Sequence, residues 1–83
     1  MNYTVELKPR AIRDLKDLQR QDSSRIADAL ERLQSDMTGD VKKLTNFSPE
    51  YRLRVGNFRV LFEIENGTRI IVYRVAHRRE AYR

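Results

Sequence analysis

The chain has 83 residues, with 17 lysines and arginines against 12 aspartates and glutamates and a net charge of +5, which points to one domain with a small core. Having no cysteine and a single histidine, it is left without disulfides, thiolate ligands or a multi-histidine metal site, and no cofactor is expected. No apolar run nears the roughly 20 residues of a membrane-spanning helix, and the opening Met1-Asn2-Tyr3-Thr4-Val5-Glu6-Leu7-Lys8 lacks a basic-then-apolar signal, so a cytoplasmic protein with no membrane partner is expected.

Tyr3, Val5 and Leu7 alternate with Thr4, Glu6 and Lys8, the pattern of a first strand. Pro9 suits the first turn of a helix, where its missing N–H costs little, and Ala11, Ile12, Leu15 and Leu18 continue it at helical spacing. Gln21-Asp22-Ser23-Ser24 interrupts the pattern, and Asp22, Ser23 or Ser24 is expected to cap a second helix. Its apolar stripe is Ile26, Leu30, Leu33 and Met37, and Thr38-Gly39-Asp40 ends it. Residues 41–50 read as a connector anchored to the core by Leu44 and Phe47, with Lys42 and Lys43 solvated or, as the alternative, extending the basic surface, and Pro49 favouring extended chain before it. Three strands follow, at about 51–55, 58–65 and 68–75, joined by Gly56-Asn57 and by Asn66-Gly67, a strong hairpin signal. The expected fold is α+β: an N-terminal strand, a helical hairpin, then a three-stranded antiparallel meander, in one largely antiparallel sheet with the helices on one face.

Turn lengths set the facing of the last strands. A two-residue Gly56-Asn57 loop pairs Val55 with Phe58, Arg54 with Arg59 and Leu53 with Val60. Tyr51, Leu53, Val55, Phe58, Val60, Phe62 and Ile64 then face the helices. A two-residue Asn66-Gly67 loop pairs Phe62 with Ile71 and Val60 with Tyr73, adding both to that face. The opposite face receives Leu61, Ile70 and Val72 beside Arg52, Arg54, Arg59 and Arg74. A one-residue slip would scatter this set.

The charge is uneven. Residues 1–40 carry 7 basic and 8 acidic side chains, whereas residues 41–83 carry 10 and 4. Positive potential therefore gathers in the C-terminal half, where RNA, DNA or an acidic protein would be drawn. Arginine clamps phosphate and stabilises charge that grows on it, but exchanges no proton. Proton transfer falls to His77 or Tyr82 in the closing Tyr73-Arg74-Val75-Ala76-His77-Arg78-Arg79-Glu80-Ala81-Tyr82-Arg83. Cations favour the ionised form of a phenol, so a tyrosine among arginines is a candidate base toward a ribose 2′-hydroxyl, which DNA lacks. Each residue also has a purely structural reading. The sheet arginines can snorkel around an exposed face, Tyr82 can be a surface aromatic, His77 can cap the last strand, and Arg78 and Arg79 can be a solvated pair.

Arg52-Leu53-Arg54, Phe58-Arg59-Val60-Leu61-Phe62 and Val75-Ala76-His77-Arg78-Arg79-Glu80-Ala81-Tyr82 resemble the RelE branch of the RelE/ParE toxin superfamily. The resemblance covers nearly the whole chain, and its most specific part is the terminal His-Arg-Arg-Glu-x-Tyr segment. It implies the toxin of a type II toxin–antitoxin system: an endoribonuclease that enters the ribosomal A site, cuts mRNA by 2′-hydroxyl attack, and is held inactive by a cognate antitoxin through which alone it meets DNA. Carried over, Tyr82 matches the general base, and Arg59 and Arg78 match the arginines on the reacting phosphate. Arg52, Arg54, Arg74 and Arg79 would hold RNA. Arg52 and Arg54 stand where the best-known member has lysines, which puts a general-acid role at Arg54 in doubt and leaves His77 or water to protonate the leaving oxygen. The alternatives are a ParE-like gyrase inhibitor, which shares the fold and cuts nothing, and a non-catalytic nucleic-acid-binding module.

Overall fold

The computed structural model describes residues 2–82. Strand β1 (Thr4–Leu7) leads through an extended Lys8 into helix α1 (Pro9–Lys16), with Pro9 in its first turn as expected. Helix α2 (Arg20–Asp36) starts earlier than the sequence suggested. Gln19 precedes its first turn and no side chain caps it. Ser23, an expected cap, lies inside the helix, where its hydroxyl donates to the Arg20 carbonyl at 3.1 Å. Ile26, Ala29, Leu30 and Leu33 form the buried stripe. Met37 closes the helix in the left-handed conformation at φ 60°, its N–H donating to the Leu33 carbonyl at 2.9 Å.

The sheet has five strands in the order β1-β5-β4-β3-β2. Strands β3 (Tyr51–Val55), β4 (Phe58–Glu65) and β5 (Arg69–His77) form the expected antiparallel meander. Strand β1 joins its outer edge, parallel to β5. Strand β2 (Asp40–Lys43) was not anticipated: the start of the connector pairs antiparallel with β3, setting Lys42 opposite Arg52 and Asp40 opposite Arg54. Gly39, at φ 141°, turns the chain into β2 so close to the core that a Cβ there would lie 2.8 Å from Leu53 Cδ1.

The β3–β4 register is the expected one, with Val55 opposite Phe58, Arg54 opposite Arg59 and Leu53 opposite Val60. Gly56 supplies the positive φ, 58°, of the first turn position, the requirement of a II′ hairpin. The β4–β5 register differs. Asn66 and Gly67 make the turn, and the Thr68 N–H donates to the Glu65 carbonyl at 3.2 Å, but pairing resumes only with Glu65 opposite Arg69. The extra residue inverts the next segment, so Phe62 faces Val72 rather than Ile71, and Ile70 and Val72 turn to the helices. A bulge at Tyr73 then restores the alternation: Val60 lies opposite Val75, not Tyr73, and Leu61 opposite Arg74. Tyr73 is half-buried outside the core, where Lys8 Nζ sits 5.7 Å from its ring centroid.

The core lies between the helices and one sheet face, where Ala11, Ile26, Ala29, Leu30 and Leu33 meet Leu53, Val60, Phe62, Ile70, Val72 and Val75. Tyr51 stacks on Phe62 at 5.5 Å. Leu61, Ile71, Ala76 and Ala81 are also buried but stand outside this cluster. Leu61 and Ile71 belong to the second sheet face, over which the segment between β2 and β3 returns, Ser48 donating to Glu63 at 3.3 Å. Beyond the end of β1, the edge of β5 is covered by α1. There Asp14 accepts the otherwise unpaired Val75 N–H at 2.9 Å and Arg74 Nε at 2.8 Å. Among the described residues no helix is long and apolar enough to cross a membrane.

Candidate nucleic-acid site

The second sheet face ends in an open cavity of about 620 Å³. Its floor is Arg52 and Arg54 of β3 with Arg59 of β4, its far wall Arg78 and Tyr82 of the closing segment. Lys42, Leu44, Thr45 and Phe47 form the remaining side. Strand alternation puts the three sheet arginines on one face. The closing segment is brought to them by backbone contacts. The Arg78 N–H donates to the Asn57 carbonyl at 2.8 Å, tying the chain after β5 to the β3–β4 turn. A further turn, with the Glu80 N–H on the His77 carbonyl at 2.8 Å, swings Tyr82 back over the sheet.

The arginines are not equally available. One Arg59 terminal nitrogen donates to the carbonyls of Gly56 at 3.1 Å and Phe58 at 2.9 Å, which fixes the guanidinium while leaving Nε and the other terminal nitrogen without a protein partner among the described residues. Arg52 is largely committed to Asp40, with Nη1 at 2.9 Å from its carbonyl and 3.2 Å from its carboxylate, and its side chain is 16% exposed. Arg54 and Arg78 are exposed and enter no ion pair among the described residues. Tyr82 is 44% exposed, its ring meeting Phe47 edge-on at 5.7 Å.

Three other residues singled out from the sequence stand apart. Arg74 returns to the second face but turns its guanidinium to Asp14. Burial alone would raise the Asp14 carboxyl, yet hydrogen bonds from Arg74, the Val75 N–H and Arg10, with the charge of Arg74, hold it below its ordinary value of 3.8. His77 is outside the cavity lining; its ring packs edge-on against Phe58 at 5.9 Å and its Nδ1 accepts the Arg79 N–H at 3.2 Å. Arg79 is exposed and does not line the cavity. Among the described residues no group of three or more His, Asp or Glu side chains is placed to hold a metal ion.

A family model described as the ParE toxin of the type II toxin–antitoxin system parDE matches residues 5–82. The chain belongs to the RelE/ParE toxin superfamily. Within it, the toxin RelE3 of Methanocaldococcus jannaschii is 37% identical over 86% of this chain and 85% of its own length. The RelBE2 toxin–antitoxin complex of Mycobacterium tuberculosis contains a chain that superposes with a TM-score of 0.79 at 26% identity, covering 93% of this chain and 99% of the other. A RelB–RelE antitoxin–toxin complex from Methanococcus jannaschii gives 0.74 at 31%, covering 92% and 93%. The α+β RelE fold expected from the sequence is therefore the fold found.

The sequence pattern of this RelE/ParE chain gives Lys42 as solvated or as an extension of the basic surface, Leu44 and Phe47 as core anchors, and Thr45 as part of the connector. All four line the cavity, so Lys42 extends the basic surface. Their placement depends on β2, whose one apolar residue, Val41, leaves no alternation to detect.

Proposed function

We propose that this chain is a RelE-type toxin that cuts mRNA on the ribosome. The observation that carries the reading is the convergence of Arg54, Arg59, Arg78 and Tyr82, from three separate segments, on one cavity. Tyr82 acts as general base and takes the proton of a ribose 2′-hydroxyl. The freed oxygen attacks the adjacent phosphorus, the bond to the 5′-oxygen breaks as that oxygen takes up a proton from Lys42 or water, and a 2′,3′-cyclic phosphate and a 5′-hydroxyl result. Negative charge grows on the phosphate as the new bond forms, and guanidinium donors already held in place stabilise it. Arg59 suits that task because carbonyls of its own turn position it. Arg54 and Arg78 supply further charge, while Arg52, paired with Asp40, shapes the floor. The cavity holds few groups able to move protons, which fits a catalyst whose substrate is positioned by the ribosome.

The partner implied by the toxin–antitoxin complexes that share this fold is a cognate antitoxin, an extended and partly acidic chain laid over the basic face. ParE-like inhibition of gyrase is the second reading, favoured by the description of the matching family model. Purified protein incubated with programmed ribosomes, and separately with gyrase and relaxed DNA, decides between them. Cut message with normal supercoiling is expected, and Tyr82→Phe should keep the fold while cutting far more slowly. Blocked supercoiling with intact message would overturn the nuclease reading.

A further inference from the structure

A second cavity, of about 340 Å³, opens on the other side of Arg54. Arg25 and Arg32 of α2 line it, with Arg54 and Gly56 of the β3–β4 hairpin. Neither Arg25, Arg32 nor Arg54 enters an ion pair among the described residues. Two carboxylates also line it: Asp40, taken by Arg52, and Asp28, which forms no ion pair. Three arginines thus share the lining with one carboxylate that enters no ion pair among the described residues.

Two features join this cavity to the first. Arg54 lines both. Gly56, which lines the second, also reaches the first through a side chain: its carbonyl holds Arg59, and its α-carbon abuts Arg25, where a Cβ would lie 2.9 Å from Arg25 Nη2. Arg25 and Arg59 therefore rest on opposite sides of one turn. Gathering like charges across such a turn is unfavourable unless anions lie between them, and a ligand with anions at regular spacing fits such a run.

We propose that the second cavity is a flanking-phosphate subsite: the RNA strand whose scissile phosphate sits at Arg59, Arg78 and Tyr82 passes over Arg54 and seats a neighbouring phosphate between Arg25 and Arg32. This rests on the nuclease reading for the identity of the strand, but the subsite itself is defined by binding rather than cutting. An acidic protein segment is the competing occupant. A strand is favoured because the two cavities share Arg54 in their linings and the second is lined by charged rather than apolar side chains.

The test measures binding of a single-stranded RNA of about a dozen nucleotides to the full chain carrying Tyr82→Phe, with and without Arg25→Gln/Arg32→Gln, over a range of salt concentrations. Loss of that one phosphate contact should flatten the slope of log K against log salt by about 0.7 and weaken binding severalfold at low salt. Asp28→Asn should act in the opposite direction, tightening binding about two- to threefold, which keeps the test open if the double variant is poorly folded. An unchanged slope and affinity in both variants would overturn the subsite. So would weakened antitoxin binding with RNA binding intact, which would assign the cavity to the protein partner. Failure of the otherwise wild-type chain to cut message would sink the nuclease reading, while the binding arms would still decide the subsite.

Discussion

The ring of Tyr82 meets the ring of Phe47 edge-on, with centroids 5.7 Å apart. Tyr82 is 44% exposed, and the Phe47 ring is the aromatic contact that orients it among the described residues. Phe47 is held in turn by the segment that returns from β2, where the Leu44 N–H donates to the Glu50 carbonyl at 2.6 Å. An aromatic pair of this geometry contributes about 0.5–1.5 kcal/mol beyond its buried area.

Phe47→Ala should therefore slow message cleavage by about tenfold or more, since misplacing a reacting group by about 1 Å can cost a hundredfold. Its melting temperature should fall by only about 5 °C, in line with the loss of one aromatic pair outside the main core cluster. Single-turnover cleavage beside a thermal melt separates the two effects. Full activity in the variant would mean that Tyr82 is positioned by something else.

His77 should prove to be a positioning residue. Its Nδ1 accepts the Arg79 N–H at 3.2 Å, within the turn that carries Arg78. His77→Asn can keep an acceptor at that place and should retain most of the cleavage rate. His77→Phe keeps a ring against Phe58 but removes the acceptor, and should lose about tenfold. Equally severe losses in both variants would instead identify the imidazole as the proton donor.

How far the sequence could be read depended on where single residues enter the strands. Gly56-Asn57 is a true two-residue turn, so the common face of Arg52, Arg54 and Arg59 followed from counting. Asn66-Gly67 is as strong a signal, and the turn it predicts is there. But the Thr68 carbonyl is taken by the Thr4 N–H of β1 at 3.0 Å, and Thr68 drops out of the β4–β5 ladder. The facing of Ile70, Ile71 and Val72 thus depended on a strand some sixty residues away in the sequence, and no local pattern reports that. Arg74 fell on the expected face only because the Tyr73 bulge offset the first slip. Its capture by Asp14 depends on how α1 docks against β5, which the helical periodicity of α1 leaves open.

Lys42 is expected to supply the proton for the leaving oxygen. Arginine stays protonated in proteins, so among the charged side chains lining the cavity Lys42 alone is a practical donor. Strand β2 sets it opposite Arg52, bringing an ammonium to a site whose β3 positions are arginines. Lys42→Met should cut at least tenfold more slowly, the low end or below of what general acids contribute, and Lys42→Arg should not restore the rate. An RNA with sulfur in place of the leaving 5′-oxygen departs without help, so both variants should cut it as fast as the unmodified chain. Rescue by Lys42→Arg on ordinary RNA would show that charge alone is needed.

Asp14 should make stability depend on acid in a defined direction. Its carboxylate accepts from Arg74 Nε, the Val75 N–H and Arg10, and its side chain is 10% exposed. These partners outweigh burial and lower its pKa in the folded chain relative to the ordinary 3.8. A group whose folded value is the lower one contributes its full stabilisation above the ordinary value, and loses it as pH falls through the folded one. Asp14→Ala leaves a buried N–H and a guanidinium unpaired, at a cost of about 1–3 kcal/mol, or about 10 °C in melting temperature for a domain of this size. Asp14→Asn keeps an acceptor for Val75 but not the charge, and should cost less. The gap between the original chain and Asp14→Asn should be constant above about pH 5, then close below pH 3.8 as the carboxyl takes up its proton. Denaturant unfolding of both proteins from pH 7 to pH 2 reads that gap directly. A gap that persists unchanged to pH 2 would mean that the Arg74–Asp14 pair holds α1 to β5 by shape and hydrogen bonding, with no contribution from the carboxylate's charge.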